Sequence, residues 1–334
     1  MGMSRTRVMP LFAGLVILGA MSGCEAPLDL RAVEKSRLST IRRSDVLQAA
    51  SASGTSIVVV GSGGLVLRSA DAGQSWQRAV LDGWPYLIDV NVCKGGLFAA
   101  LSYEGDVWVS HDQGATWSRK SLDTAEQPQS ITCDPTGRLW VVGSLMTIWA
   151  SADVGETWST TSLDEDVILT EIQFIDNDLG YITGEFGTVM RTEDGGKNWE
   201  RLPPLPDEFY PQDMYFQDRE HGWVAGLVGV ILRTDNGGQS WQPEQTGTLV
   251  TMYGLELLNG RMFAVGGEGT ILRLDGGQWH AVDHGEPIRF YLRGIRSLSG
   301  DRLLVLGPNG TLKIFAGASL LRDVMQPAAA RDQG

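Results

Sequence analysis

The chain has 334 residues, 43% of them hydrophobic, with 42 glycines and a formal charge of −13. So acidic a chain has no positive footprint for phosphates, which excludes nucleic acid as the expected partner. The glycines suit many short strands joined by tight turns, and only the extreme N-terminus shows sustained helical periodicity.

Residues 1–24 read as a processing signal rather than as fold. Arg5 and Arg7 precede an apolar run from Val8 to Ala20, too short for an ordinary spanning helix. Met21, Ser22, Gly23 and Cys24 then resemble a bacterial lipobox, in which small residues precede a cysteine that is lipidated and becomes the new N-terminus. The alternative is an ordinary cleaved signal or an uncleaved anchor. Loss of Arg5 and Arg7 leaves 25 basic against 40 acidic side chains. Glu25 is not the aspartate that commonly retains lipoproteins in the inner membrane. A lipid anchor in the bacterial cell envelope, in the outer membrane and facing the periplasm, is therefore expected.

Residues 25–44 form an N-terminal segment, and from 45 onward the chain repeats. Trp76, Trp117, Trp158, Trp199, Trp241 and Trp279 follow one another at gaps of 41, 41, 41, 42 and 38. A fixed period of this length signals a repeat architecture. Two motifs recur. The first, Gly-x-x-Gly-x-aliphatic-x-Arg, occupies 61–68, 184–191, 226–233 and 266–273, with degenerate copies starting at Ser102, Gly143 and Gly307. Its glycines permit a tight turn at positive φ between two strands. The second, Ser/Thr-x-Asp-x-Gly-x-Ser/Thr-Trp, is the Asp-box. Asp71, Asp112, Asp153 and Asp194 carry its carboxylate, and Asn236 stands in their place in the fifth copy. A side-chain oxygen there can accept backbone N–H bonds within its own turn, while the indole packs over the hairpin it closes. Recurrence in every repeat favours this stapling role over metal binding or acid catalysis.

Each unit reads as four strands, in the fourth unit 168–174, 179–184, 188–192 and 198–202. A four-stranded antiparallel sheet repeated around an axis is a β-propeller blade. Seven motif starts give an all-β, seven-bladed propeller over 45–322, followed by a flexible tail at 323–334. The last blade lacks a clear fourth strand. The stretch 36–43 is the expected donor, closing the ring with both chain ends in one sheet, and 319–324 is the alternative. Cys93 and Cys133 sit at matching places in adjacent units, either as a disulfide in an oxidising compartment or as two buried thiols.

Beyond the Asp-box, Phe174-Ile175-Asp176 leads into Leu179-Gly180-Tyr181-Ile182-Thr183-Gly184 and then 187–199. The next unit repeats the pattern with Phe216-Gln217-Asp218 and His221-Gly222-Trp223-Val224-Ala225-Gly226. This sequence resembles the photosystem II stability and assembly factor family of cyanobacteria and plastids, with its relatives in other bacteria. The resemblance runs over roughly 45–315. It implies a propeller without catalytic activity, whose photosynthetic members bind newly made membrane subunits through a positive patch.

No active site emerges from the residues. The arginine motif of sialidases is missing near the first blade, and Pro287-Ile288-Arg289 echoes it only faintly. His280 and His284 would suit a metal on a helix, but they fall on a strand and its following loop, where four residues span about 13 Å. His111 and His221 have no ligand-like company. No catalytic group, metal or cofactor is expected. The remaining candidates lie on the segments between blades: Trp84, Tyr86, Phe209, Tyr210, Arg289, Tyr291 and Arg293. Tyr86, Tyr210 and Tyr291 share one position of the repeat, and Asp89, Glu171 and Asp213 fall toward the channel. Exposed aromatics with arginine favour a protein interface, although the tyrosines could equally pack their own loops and the acids line a wet channel. The expectation is a monomeric, lipid-anchored scaffold or assembly factor that binds a membrane or envelope protein. The alternative is a glycan-binding or sialidase-like propeller.

Overall fold

The computed structural model describes Gly2 and residues 38–285, 287–316 and 319–325. Cys24 and the leader, except Gly2, lie outside the described residues. Among the described residues, twenty-eight strands form seven separate four-stranded antiparallel sheets, each continuous in sequence. Their inner strands are Leu47–Ser53, Leu87–Val92, Pro128–Cys133, Leu169–Phe174, Pro211–Phe216, Met252–Leu258 and Gly294–Leu298. Blades 1 to 7 are numbered in that order. The second and third strands of each blade are almost wholly buried, as sheets packed on both faces must be. Outer strands such as Glu200–Arg201 are short and exposed, a form that leaves little edge to recruit another chain.

The ring closes through the alternative donor rather than the expected stretch 36–43. The outer strand of blade 7 is Ser319–Asp323, paired with Leu312–Ala316, the strand before it. The stretch 36–43 donates no strand among its described residues. Ile41 instead packs into the seam between blades 7 and 1. A hairpin with the neighbouring strand closes a far shorter loop than a pairing across the whole chain, so the local solution costs less entropy. Asp323 ends that strand, and Val324 and Met325 pack against the same seam, so the propeller runs past the expected boundary at 322. The seam is sealed by side chains. Arg296 Nε and Arg302 Nη1 donate to the carbonyls of Ala50 and Ala72 at 2.9 Å, and Arg322 reaches those of Gly73 and Gln74. Arg78 pairs with the buried Asp45 at 2.7 Å.

Seven hydrophobic clusters occupy the seven seams, each shared by two adjacent blades. The recurring tryptophans lie over their own turns, as expected, with Trp76 and Trp117 Nε1 donating to the Gly73 and Gly114 carbonyls, and they also reach the neighbouring blade. Trp117 of blade 2 enters the cluster it shares with blade 1, and Trp158, Trp199 and Trp241 likewise meet the preceding blade. Trp199 stands edge-on to Trp140 of blade 3 at 6.2 Å, while Trp241 stands edge-on to Phe216 of its own blade at 6.0 Å. The turn glycine is constrained the same way. Gly196 has φ +81°, and a Cβ there would lie 2.2 Å from the Trp140 ring of the neighbouring blade.

Candidate functional site: the loop face and the channel mouth

The Asp-box turns are built as staples. Asp112 accepts bonds from Thr116 N at 2.8 Å and Thr116 Oγ1 at 2.7 Å, while Ser110 Oγ takes Gly114 N at 2.8 Å. Asp71, Asp153 and Asp194 repeat the pattern, and Asn236 reproduces it with its amide oxygen. These bonds hold the carboxyls of Asp71, Asp112, Asp153 and Asp194 down to about 2. Every donor comes from within the turn, so these groups serve the fold. Cys93 and Cys133 form a disulfide joining blades 2 and 3, with Cα atoms 5.3 Å apart.

The blades present two unlike faces. One carries the turns between first and second strands together with the Asp-box turns. The other, the loop face, carries the turns between second and third strands and the segments linking each blade to the next. Among the described residues, thirteen large hydrophobics are exposed: ten lie on the loop face and none on the Asp-box turns. The exposed hydrophobics are thus segregated to one face rather than scattered over both.

Of the candidates between blades, Trp84, Tyr86, Tyr291 and Arg289 are exposed on this face. Tyr86 accepts a 2.8 Å bond from Gln48 Nε2, and Tyr291 tilts against Tyr253 with centroids 5.6 Å apart. Phe209 and Tyr210 are only half-buried. Phe209 packs against Gly226, where an added Cβ would come within 2.5 Å of the ring. Arg293 sits inside the channel mouth, its Nη1 3.4 Å from the Tyr253 carbonyl.

Sequence reasoning missed the turn tips. Tyr103, Phe186, Leu227 and Val228 are exposed at the turns between second and third strands. Phe186 and Val228 have φ of +55° and +54°. A β-branched residue in the left-handed region is strained, by about 1–3 kcal/mol. Val228 is 61% exposed, so no packing offsets that strain. The available signal was the third place of the Gly-x-x-Gly turn, which holds Gly63 in blade 1 but Phe186 and Val228 in blades 4 and 5. Beside Val228 a cleft of about 330 Å³ runs to Leu249, floored by Thr246, whose Oγ1 donates to the Gly229 carbonyl at 2.6 Å.

The channel opens in the same face and encloses a polar cavity of about 370 Å³. A bulge early in the inner strands, as between Leu87 and Asp89, turns two consecutive residues toward the axis. That bulge brings Asp89, Glu171 and Asp213 into one ring. Ser130 Oγ lies 3.1 Å from Asp89 and 3.0 Å from Glu171. Asp89 accepts Ile131 N at 2.8 Å and Asp213 accepts Leu255 N at 2.6 Å, each from the next blade. Deeper in the channel, Arg296 pairs with Glu256 at 3.3 Å. Burial raises the Glu171 carboxyl well above its usual range, with Asp89 and Asp213 adding repulsion. Burial likewise pushes Asp213 up to about 7. No group of three or more potential ligands able to hold a metal occurs among the described residues.

Seven four-stranded blades, five of them with an Asp-box turn between their third and fourth strands, define a seven-bladed β-propeller. The family model described as Photosynthesis system II assembly factor YCF48 matches residues 109–206, the end of blade 2 with blades 3 and 4. No curated protein matches the chain. Among solved structures, "YCF48 bound to D1 peptide" is similar at 18% identity and TM-score 0.69, covering 83% of this chain and 93% of its own. YCF48 from Cyanidioschyzon merolae is similar at 19% identity and TM-score 0.57, covering 67% and 81%. Virginiamycin B lyase from Staphylococcus aureus shares the fold at 13% identity and TM-score 0.70, covering 80% and 94%. At such identities the structural likeness speaks to fold alone. The family match over residues 109–206, with the shared fold, makes this propeller similar to the photosystem II assembly factors.

Proposed function

We propose that this chain is a non-catalytic scaffold that holds a segment of a membrane or envelope protein on its loop face and aids its assembly or stability. The segregation of exposed hydrophobics to that face carries the reading. A similar propeller has been captured with a peptide of D1, which supports peptide binding as a use of this architecture. The leader, with lipidation at Cys24, would tether the disc in the bacterial envelope, facing the periplasm.

A photocrosslinking amino acid at Phe186 or Tyr103 of the full chain, activated in intact cells, should trap one recurrent segment of an envelope protein. The same label on the Asp-box face, at Gln113, should trap none. Equal trapping from both faces would remove the support for a dedicated surface. Turnover of a sialoside or other glycoside by the full chain would overturn the non-catalytic part.

A further inference from the structure

The charge of the loop face bears on what it can hold. Its apolar side chains alternate with acids: Asp82 precedes Trp84, Glu104 follows Tyr103, Asp164 to Asp166 follow Leu163, and Asp207 and Glu208 precede Phe209. The basic side chains on the same segments are Arg42, Arg43 and Arg289, with Arg293 just inside the mouth, and Arg201 at the adjoining strand end pairs with Glu165 at 2.7 Å. Acidic groups continue into the channel, where the carboxyls of Asp89, Glu171 and Asp213 share one ring and a cation brought beside them would favour their ionised form. Asp89 and Asp213 are held by backbone donors. Glu171 accepts one bond, from Ser130 to Oε1, and no partner for Oε2 is found among the described residues. Arg296 is engaged by Glu256 and the Ala50 carbonyl.

We propose that the segment captured here is a cationic amphipathic stretch of protein. One of its apolar side chains seats in the cleft between Val228 and Leu249, and its lysine or arginine side chains lie over the channel mouth toward Glu171 and Asp213. This inference rests on the loop-face reading above and adds the chemistry of the occupant. Three observations converge on it. The strained, exposed Val228 lines an open cleft of side-chain size. Acids interleave with apolar residues at the spacing of neighbouring loops. A polar cavity with carboxylates on three blades opens between them. Complementary charge sets which partner is accepted and speeds its encounter. The same field repels anionic lipid headgroups, so the face is not a membrane-docking surface.

The test uses the full chain and three short synthetic peptides alternating leucine with lysine, glutamate or glutamine, read by fluorescence anisotropy. The lysine peptide should bind about tenfold more tightly than the glutamine peptide, with the preference falling at high salt. The paired change Asp82→Asn with Glu104→Gln, both exposed, should weaken it about threefold. Asp213→Asn should weaken it further, and Val228→Gly should weaken all three peptides alike. Equal affinity for the three peptides, tighter binding of the glutamate peptide, or adhesion of the loop face to phosphatidylglycerol vesicles would overturn the proposal. If Val228→Gly and Phe186→Ser lower binding with no charge preference, the loop-face scaffold stands and the cationic occupant falls. If neither substitution lowers any binding, both fall.

Discussion

The two faces of the disc are made from the same hairpins yet follow opposite rules. On the Asp-box face, five turns use one set of bonds, each carboxylate or amide oxygen satisfied by donors within its own turn. On the loop face, equivalent turn positions hold Gly63, Phe186, Val228, Glu268 and Asn309. Positive φ recurs at all five, yet only glycine adopts it without cost. One face repeats because it holds the ring together. The other departs from repetition and accepts strain. Function is therefore sought where equivalent positions differ.

That contrast can be broken by experiment. The largest expected effect is on the repeating side. Trp158→Ala removes an indole from the seam between blades 2 and 3 and should cost about 3 kcal/mol in chemical denaturation, leaving partner capture unchanged in whatever remains folded. Asp112→Ala frees the turn donors of its box and should lower the melting temperature by a few degrees, again without touching capture. Val228→Gly should do the reverse. It relieves left-handed strain, stabilises by about 1 kcal/mol at the site, and weakens capture. A variant that is less stable and captures normally would deny the loop face its special status.

The smallest effect is in pH. The Asp-box carboxyls, held at about 2, lie below the unfolded value near 3.9. Their contribution is complete above that value and is lost as pH falls toward 2, because the unfolded chain then binds more protons. Asp213 runs the other way. With its folded value raised to about 7, the native state binds the extra proton between about 4 and 7, so its contribution is present at acid pH and lost as pH rises through 7. Melting temperatures should therefore decline gently across the neutral range, and Asp213→Asn should flatten that decline. An unchanged slope would remove Asp213 from the account.

The blade count was legible because the tryptophan period and the Gly-x-x-Gly turn are local signals, each written within one hairpin. The place of the indole over its own turn was legible too, but its second contact was not, since the seam it fills belongs to two repeats and exists only once they are stacked. The choice between the two closing strands was not legible for a related reason: after Ala316 the repeat motif disappears, and with it the sign that would have favoured 319–324 over 36–43. Asp89, Glu171 and Asp213 could be placed toward the channel by aligning inner strands, whereas the bulge that sets their depth leaves no mark on residue type. Phe186 and Val228 were hidden because a turn tip is expected to be small or polar, and these are neither.

Closure by side chains rather than by a shared strand has a kinetic consequence. Every blade is complete within one stretch of about forty residues, so its hairpins can form from neighbouring segments as soon as they are available. Nearly all native pairings are then of low contact order, the condition that favours fast folding. The exception is the meeting of blades 7 and 1, where Arg296, Arg302 and Arg322 reach residues more than two hundred positions away. The ring is thus expected to form as an open arc first and to be joined last, so that loosening this one junction, as with Arg302→Ala, should slow refolding more than an equal change within a blade.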